Sequence, residues 1–292
     1  MQSAQTSLDL RQPQRRHSWL RRAGVRCTEV VARALGGRAF YRRRHLTPPG
    51  LRLRREILEV GALPADFEGF RVVHLSDLHA GPFIARGDLA ALVEAVNALA
   101  PDVIAFTGDF ITHRAEEGLA LADDFGGLSA RHGVFAVFGN HDYRERREGE
   151  LVRAFGERGV IVLRNESRRI AREGGALCIV GIEDLEESKH IDLTAARALV
   201  QPGDFEIVLC HHPLGAPQFV RPRCIAVLAG HTHATQLDLP LVRRAGPAHP
   251  GARVDFGGTV LLVSRGLGVI GLPLRIGAPT EIGVVELRRK ST

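Results

Sequence analysis

Short apolar runs that stop abruptly at polar residues recur five times between residues 71 and 233. The runs are continuous in their hydrophobicity, which is typical of strands that are buried on both faces. They end at the sequences Asp-Leu-His, Gly-Asp, Gly-Asn-His-Asp, His-His-Pro and Gly-His-Thr-His. An opening strand is also indicated over 51–60, and apolar residues at helical spacing predict a helix over 86–100.

This alternation of strands and helices predicts an α/β layered fold. In sheets of that kind, ligands bind where the strands end at their carboxyl edges. We therefore expect the five polar clusters to converge on one rim of the molecule. Their convergence, more than any one of them, indicates a functional site.

The first 50 residues differ from the rest of the chain in their charge. They contain eleven arginines against Asp9 and Glu29, a balance of +9, whereas the whole chain carries +6, so residues 51–292 carry −3. We expect 1–50 to be a basic arm and 51–292 to be the globular domain. Because binding to a nucleic-acid backbone needs clustered cations, the acidic balance of that domain argues against nucleic acid as a partner.

Part of the arm has an amphipathic pattern. The apolar positions near one face of the predicted helix are Leu20, Ala23, Cys27, Val30, Val31 and Leu35. With the arginines over 15–44, this pattern suits peripheral contact with an anionic membrane surface, although a solvated leader or a helix docked on the body explains it equally well. No run of about 18 apolar residues is present, so a transmembrane helix is not expected. Charged residues interrupt the apolar stretch, unlike the core of a signal peptide.

The cysteines point to a reducing compartment. Cys27, Cys178, Cys210 and Cys224 show neither a CxxC spacing nor a disulfide-rich pattern, so we expect buried, reduced thiols. This favours a cytoplasmic location, and the arm would allow peripheral contact with the inner membrane.

The polar clusters offer carboxylate, amide and imidazole groups but no thiolate. The candidate metal ligands are Asp77, His79, Asp109, Asn140, His211, His231 and His233. Such a set suits divalent transition metals such as Mn, Fe, Zn or Co. Seven ligands exceed what one such ion takes from a protein, and a central carboxylate can bridge two ions about 3.5–4 Å apart. The set therefore predicts a two-metal site, although each short motif alone is also a common turn sequence.

The five motifs, in this order from about residue 70 to 235, resemble the calcineurin-like metallophosphoesterase family. The sequences over 263–268, 273–276 and 279–282 resemble a bacterial branch of that family, whose members often carry an N-terminal membrane anchor or export signal. The resemblance implies a four-layer α-β-β-α sandwich with its two-metal site at the carboxyl ends of the strands.

The resemblance also implies a role for each residue. The first metal would be bound by Asp77, His79 and His233, the second by Asn140, His211 and His231, and Asp109 would bridge them. His141 would be catalytic with Asp109, contacting the phosphoryl group and either stabilising the transition state or protonating the leaving oxygen. The family's ligand lies two residues before a proline, which selects His211 over His212.

The implied reaction is cleavage of a phosphodiester or a pyrophosphate by a hydroxide that bridges the metals. Some relatives in the branch act on nucleotide-linked lipid A precursors, so a lipid-linked substrate such as UDP-2,3-diacylglucosamine is one candidate. A nuclease or a nucleotide or cyclic-nucleotide phosphodiesterase is the alternative. A non-catalytic scaffold on the same fold would be expected to have lost ligands, all of which are present here.

One departure from the branch lies beside His233. Where the branch carries Gly-Gly-Gln, this chain has Ala234, Thr235 and Gln236. Glycine permits a positive φ that Ala and Thr disfavour. We therefore expect a differently shaped pocket at this position.

Overall fold

The computed structural model describes residues 19–188, 190–238 and 251–290, with side chains from residue 23 onward. The helices are α1 (Trp19–Ala34), α2 (Gly37–His45), α3 (Ala90–Asn97), α4 (Ala115–Phe125), α5 (Glu148–Gly156) and α6 (Leu193–Ala196). The strands are β1 (Arg52–Val60), β2 (Arg71–Leu75), β3 (Val103–Thr107), β4 (Val134–Val137), β5 (Val160–Val162), β6 (Glu166–Arg172), β7 (Gly175–Gly181), β8 (Phe205–Leu209), β9 (Cys224–Ala229), β10 (Arg253–Asp255), β11 (Val260–Val263) and β12 (Glu281–Arg289).

The strands form two six-stranded sheets, in the orders β1-β12-β2-β3-β4-β5 and β10-β11-β9-β8-β7-β6. In the first sheet, β2, β3, β4 and β5 run parallel to one another. In the second sheet, β7, β8, β9 and β11 are also parallel. The five strands that precede the polar motifs are therefore all members of parallel sets, as the apolar runs predict.

Three apolar clusters separate four layers. The cluster between the sheets contains Val72 and Phe135 from the first sheet and Ile179 and Ile207 from the second. A second cluster packs the outer face of the first sheet against α3, α4 and α5. A third packs the outer face of the second sheet against α6 and the 3₁₀ turn at Pro213–Gln218. The four-layer α/β architecture expected from the sequence is confirmed, with a thin fourth layer.

The helix predicted over 86–100 is shorter than expected. It is α3, which begins at Ala90, because Gly87 has a φ of 85° and the backbone N–H of Asp88 donates to the carbonyl of Ala85 in a turn. Leu89 and Leu99 are nevertheless buried beside the helix. The apolar spacing therefore predicts which residues are buried but not where the helix begins and ends.

Helix α1 turns its apolar side outward. Val30, Val31 and Leu35 are 68%, 58% and 82% exposed, whereas Glu29 is 2% exposed. No helix among the described residues is long and apolar enough to span a membrane. Residues 15–18 of the arm and the side chain of Leu20 lie outside the described part, and the boundary at residue 50 stays a prediction.

Helix α2 is tied to the body by polar contacts. The buried hydroxyl of Tyr41 donates to the carbonyl of Leu267 at 2.6 Å, and Arg38 pairs with Asp88 at 2.7 Å. All four cysteines are free thiols, and three of them are buried as expected, whereas Cys27 is exposed.

The aromatic side chains of the first core cluster provide a test of the packing. Phe155 is fully buried against Phe110, Phe125 and Phe138. We expect Phe155→Ala to lower the free energy of unfolding by about 3–5 kcal/mol, because it leaves a cavity that the sheet cannot fill. The matched control is Phe40→Ala at a position that is 44% exposed, with an expected loss below about 1 kcal/mol. Urea unfolding measures both, and equal losses would contradict this packing.

Candidate metal centre

The polar motifs all follow carboxyl ends of parallel strands. Asp77 and His79 follow β2, Asp109 follows β3, and Asn140 and His141 follow β4. From the second sheet, His211 follows β8, while His231 and His233 follow β9. The predicted convergence on one rim is what the fold produces, because parallel strands place these ends side by side.

One group of side chains consists of Asp77, His79, Asp109 and His233, whose ligand atoms all lie within 4.8 Å of one another. The Nε2 atoms of His79 and His233 are 2.9 Å apart. Nε2 of His79 is 3.5 Å from Oδ2 of Asp109, and Nε2 of His233 is 3.3 Å from Oδ1 of Asp77. Two imidazole nitrogens and two carboxylates thus face one small space.

A second group shares Asp109 with the first. It contains Asp109, His211 and His231, again within 4.8 Å. Oδ2 of Asp109 is 3.4 Å from Nε2 of His211, which lies 3.2 Å from Nδ1 of His231. Oδ1 of Asn140 is 3.2 Å from the same His231 nitrogen. Six of the seven candidate ligands are therefore in these two groups, and the seventh, Asn140, adjoins the second group at His231. Asp109 is the member common to both groups.

The hydrogen bonds of the adjacent histidines distinguish His211 from His212. Nδ1 of His211 lies 2.6 Å from the carbonyl of Thr107, so that nitrogen carries a proton and Nε2 is the ring nitrogen that faces Asp109. In contrast, Nδ1 of His212 accepts from the N–H of Leu214, which leaves the proton on Nε2, 3.6 Å from Glu186. The first arrangement suits a metal ligand better than the second, so the geometry favours His211.

The electrostatics of the rim suit a cation. Burial raises the pKa of Asp77 to about 6. Burial also opposes ionisation of Asp109, but the neighbouring histidines, His211 foremost, hold its pKa well below the usual range. Burial opposes a charge on His211 as well, yet Asp109 raises the pKa of that imidazole well above normal. The carboxylates thus draw positive charge into the site, and a divalent cation of the kind that binds N and O donors supplies it.

Glycines in two motifs make the close approach possible. A Cβ on Gly139 would lie 2.4 Å from Oδ1 of Asp109, and one on Gly230 would lie 2.4 Å from Oδ2 of Asp77. Both distances are shorter than any normal contact. The glycines of Gly-Asn-His-Asp and Gly-His-Thr-His are therefore required by the carboxylates that pack against them.

Five of the seven candidate ligands have left-handed backbones. They are Asp77, His79, Asp109, His231 and His233, with φ between 47° and 70°. Such conformations are unfavourable for L residues, and they concentrate at functional sites where surrounding contacts enforce them. Four backbone N–H groups, those of Asp109, Phe110, Ile111 and Gly139, donate to the carboxylate of Asp142 and hold two of the loops together.

The segment after His233 adopts positive φ values although it lacks the two glycines, and the expected difference in pocket shape stays a prediction. Ala234 and Thr235 have φ of 48° and 66°, so the backbone takes positive values without glycine. The N–H of Thr235 donates to the carbonyl of Thr232 at 2.8 Å, and that of Gln236 donates to His233 at 2.9 Å. These bonds hold the strained turn in place.

The surroundings of His141 include residues that the motifs do not reveal. Its Nδ1 lies 3.0 Å from the carbonyl of Thr112, and its Nε2 accepts from Nη2 of Arg144 at 2.9 Å. The buried Arg275 donates to three carbonyls of the C-terminal segment and lies 3.4 Å from His233. Neither arginine lies within the five motifs, although Arg144 follows Gly-Asn-His-Asp by only two positions.

The comparison with protein families agrees with this geometry. A family model described as calcineurin-like phosphoesterase matches residues 70–235. The chain belongs to the calcineurin-like phosphoesterase family. The family match and the Asp and His groups on the rim agree in pointing to this rim as the place where divalent metal would bind.

Individual relatives come from bacteria and eukaryotes. The chain is 32% identical over 255 residues to a transmembrane protein with metallophosphoesterase domain from Danio rerio, a match that covers 80% of this chain and 56% of that protein. It is 28% identical over 253 residues to the uncharacterized metallophosphoesterase YkuE of Bacillus subtilis, covering 84% and 88%. The corresponding protein of Bos taurus is 31% identical over 240 residues, with 76% and 54% covered. The chain thus spans about half the length of the vertebrate relatives.

A glycine substitution tests the packing of the rim. We expect Gly230→Ala to lower the bound metal at least about tenfold, because the new methyl group displaces Asp77. Gly156→Ala is the matched control, since a Cβ there meets nothing within 4 Å. Elemental analysis of the purified variants measures the effect. A full metal complement in Gly230→Ala would contradict the close packing of Ser76 and Asp77 against this glycine.

Proposed function

We propose that the chain hydrolyses a phosphodiester or a pyrophosphate with two divalent transition-metal ions, Mn, Fe, Zn or Co. The observation that carries this proposal is the position of Asp109, whose Oδ2 faces His79 on one side and His211 on the other. A carboxylate shared by two groups of ligands suits a pair of ions rather than one. Since all seven ligand side chains are present, a non-catalytic scaffold is not favoured.

We assign the ligands to the two ions according to the two groups of side chains. One ion would be held by Asp77, His79 and His233. The other ion would be held by Asn140, His211 and His231, and Asp109 would bind both ions. Ions of this kind, when bound, activate water and offset the charge of phosphoryl oxygens. Water adds to phosphorus, the bond to the leaving oxygen breaks, and that oxygen takes up a proton. His141, whose ring centroid is 4.6 Å from that of His79, would be the catalytic histidine beside the phosphoryl group.

The surface beside the rim supports a lipid-linked substrate. Val30, Val31 and Leu35 are exposed, and Leu272 and Leu274 are 44% and 38% exposed. The backbone N–H of Gly271, in the loop that contains Leu272, donates to the carboxylate of Glu29 on α1 at 3.0 Å, so the helix and the loop are in contact. An apolar face bordered by arginines suits an anionic bilayer. We therefore favour a lipid-linked substrate such as UDP-2,3-diacylglucosamine, reached by peripheral contact with the cytoplasmic face of the inner membrane.

Removal of the shared carboxylate tests the reaction. We expect Asp109→Ala to lose at least about a thousandfold in kcat/KM, since both ions lose a ligand. Turnover would be measured with an aryl phosphodiester, UDP-2,3-diacylglucosamine and linear and cyclic nucleotides, each with Mn, Zn, Fe and Co. Asp123→Ala is the control, since this carboxylate of α4 pairs with Arg158 and takes no part in the two groups of ligands. Preference for nucleotides would favour the alternative phosphodiesterase activity, and equal activity of both variants would refute the proposal.

A charge on the apolar face tests membrane contact. We expect Val31→Glu to weaken binding to phosphatidylglycerol vesicles about tenfold, because an acidic group must approach an anionic surface. Turnover of the vesicle-bound lipid substrate should fall in parallel, while turnover of an aryl phosphodiester in solution stays unchanged. Leu199→Glu, at a position that is 49% exposed after α6, is the control. Unchanged vesicle sedimentation of Val31→Glu would contradict the membrane assignment.

A further inference from the structure

Glu29 is a buried acidic residue on α1 that does not belong to any of the five sequence motifs. Glu29 is 2% exposed although the helix that carries it is mostly exposed. Its Oε2 lies 2.6 Å from Nε2 of His113, and its Oε1 accepts from the N–H of Gly271 at 3.0 Å. Burial of a charged side chain is costly unless it is paired, so these partners explain how Glu29 remains inside.

The chain of contacts continues from His113 to His141. Nη1 of Arg144 lies 3.2 Å from Nδ1 of His113 and also donates to the carbonyl of Thr112. Nη2 of Arg144 donates to Nε2 of His141 at 2.9 Å. Because the guanidinium can only donate, both imidazoles accept from it. His113 then carries its proton on Nε2, toward Glu29, and His141 carries its proton on Nδ1, toward Thr112.

This arrangement fixes the guanidinium at the edge of the metal centre. Two of its nitrogens are held by Thr112, His113 and His141. Among the described residues, its Nε–H and one Nη2–H have no protein partner, and the side chain is exposed at the rim. A planar guanidinium binds phosphate oxygens through several N–H groups at once. Arg144 is therefore placed to bind a phosphoryl group next to His141.

We propose that Arg144 binds the phosphoryl group of the substrate and that Glu29 is a positioning residue that holds Arg144 in place through His113. This inference rests on the proposed phosphoesterase activity and adds a contribution of the N-terminal helix to it. A long arginine side chain has many rotamers, and a fixed one binds its ligand with less loss of entropy. The docked α1 helix thereby completes the active site.

A double-mutant cycle in the full chain tests the coupling. With Mn and bis(4-nitrophenyl) phosphate, we expect Arg144→Ala to lower kcat/KM about a hundredfold and Glu29→Ala about tenfold, the latter mainly through KM. In the Arg144→Ala background, Glu29→Ala should change kcat/KM by less than about twofold, since its effect passes through the missing guanidinium. Glu29→Gln keeps an oxygen acceptor for His113 and should recover most of the loss.

The control separates coupling from general loosening of the arm. Arg38→Ala breaks the ion pair between α2 and Asp88, outside this chain of contacts, and should leave kcat/KM within about twofold of the wild type. A tenfold effect of Glu29→Ala in both backgrounds would overturn the proposal. An equal effect of Arg38→Ala would overturn it as well.

Binding of inorganic phosphate keeps this test independent of turnover. Calorimetry on the Mn-loaded protein should show weaker phosphate binding in Glu29→Ala and Arg144→Ala than in the wild type and Arg38→Ala. If no phosphoester is hydrolysed, the proposed function fails, but this order of affinities would still support the assignment of Arg144 and Glu29. Equal phosphate affinity in all four proteins would overturn that assignment even if the wild type is active.

Discussion

The carboxylate of Asp109 lies 3.5 Å from Nε2 of His79 and 3.4 Å from Nε2 of His211, with almost no exposure to solvent. A buried charge of this kind is costly unless partners compensate it. Part of the compensation comes from the backbone N–H of His141, which donates to the other carboxylate oxygen at 2.9 Å. The remainder requires positive charge between the imidazoles, which is the chemical demand that a divalent metal meets.

The two facing sheets of the fold bring the carboxylates and imidazoles together. Parallel strands from two facing sheets end at one rim, and the apolar core between the sheets holds the ends in register. The loops then accept unfavourable backbone conformations at Asp77, His79 and Asp109. Glycines at positions 139 and 230 leave room for the carboxylates. Stability from the core thus supports strain at the site, as is common where side chains must be held for catalysis.

The sequence predicts much of this arrangement because buried parallel strands read as apolar runs, and the residues after them are fixed at the sheet edge. The residue at which α3 begins cannot be predicted from the apolar spacing, since it depends on Gly87 and a local turn. The roles of Arg144 and Glu29 escape prediction for a different reason. Arg144 follows a motif without belonging to one, and Glu29 looks like a polar interruption of an amphipathic helix, whereas its burial depends on His113, 84 positions away.

The most direct test of the shared carboxylate is anomalous scattering from crystals of the Mn-loaded protein. A bridging position of Asp109 predicts two peaks about 3.5–4 Å apart, one on each side of its carboxylate. The first should lie among Asp77, His79 and His233, and the second among Asn140, His211 and His231. A single peak, or a peak at Glu186 and His212 with none at Asp109, would contradict it.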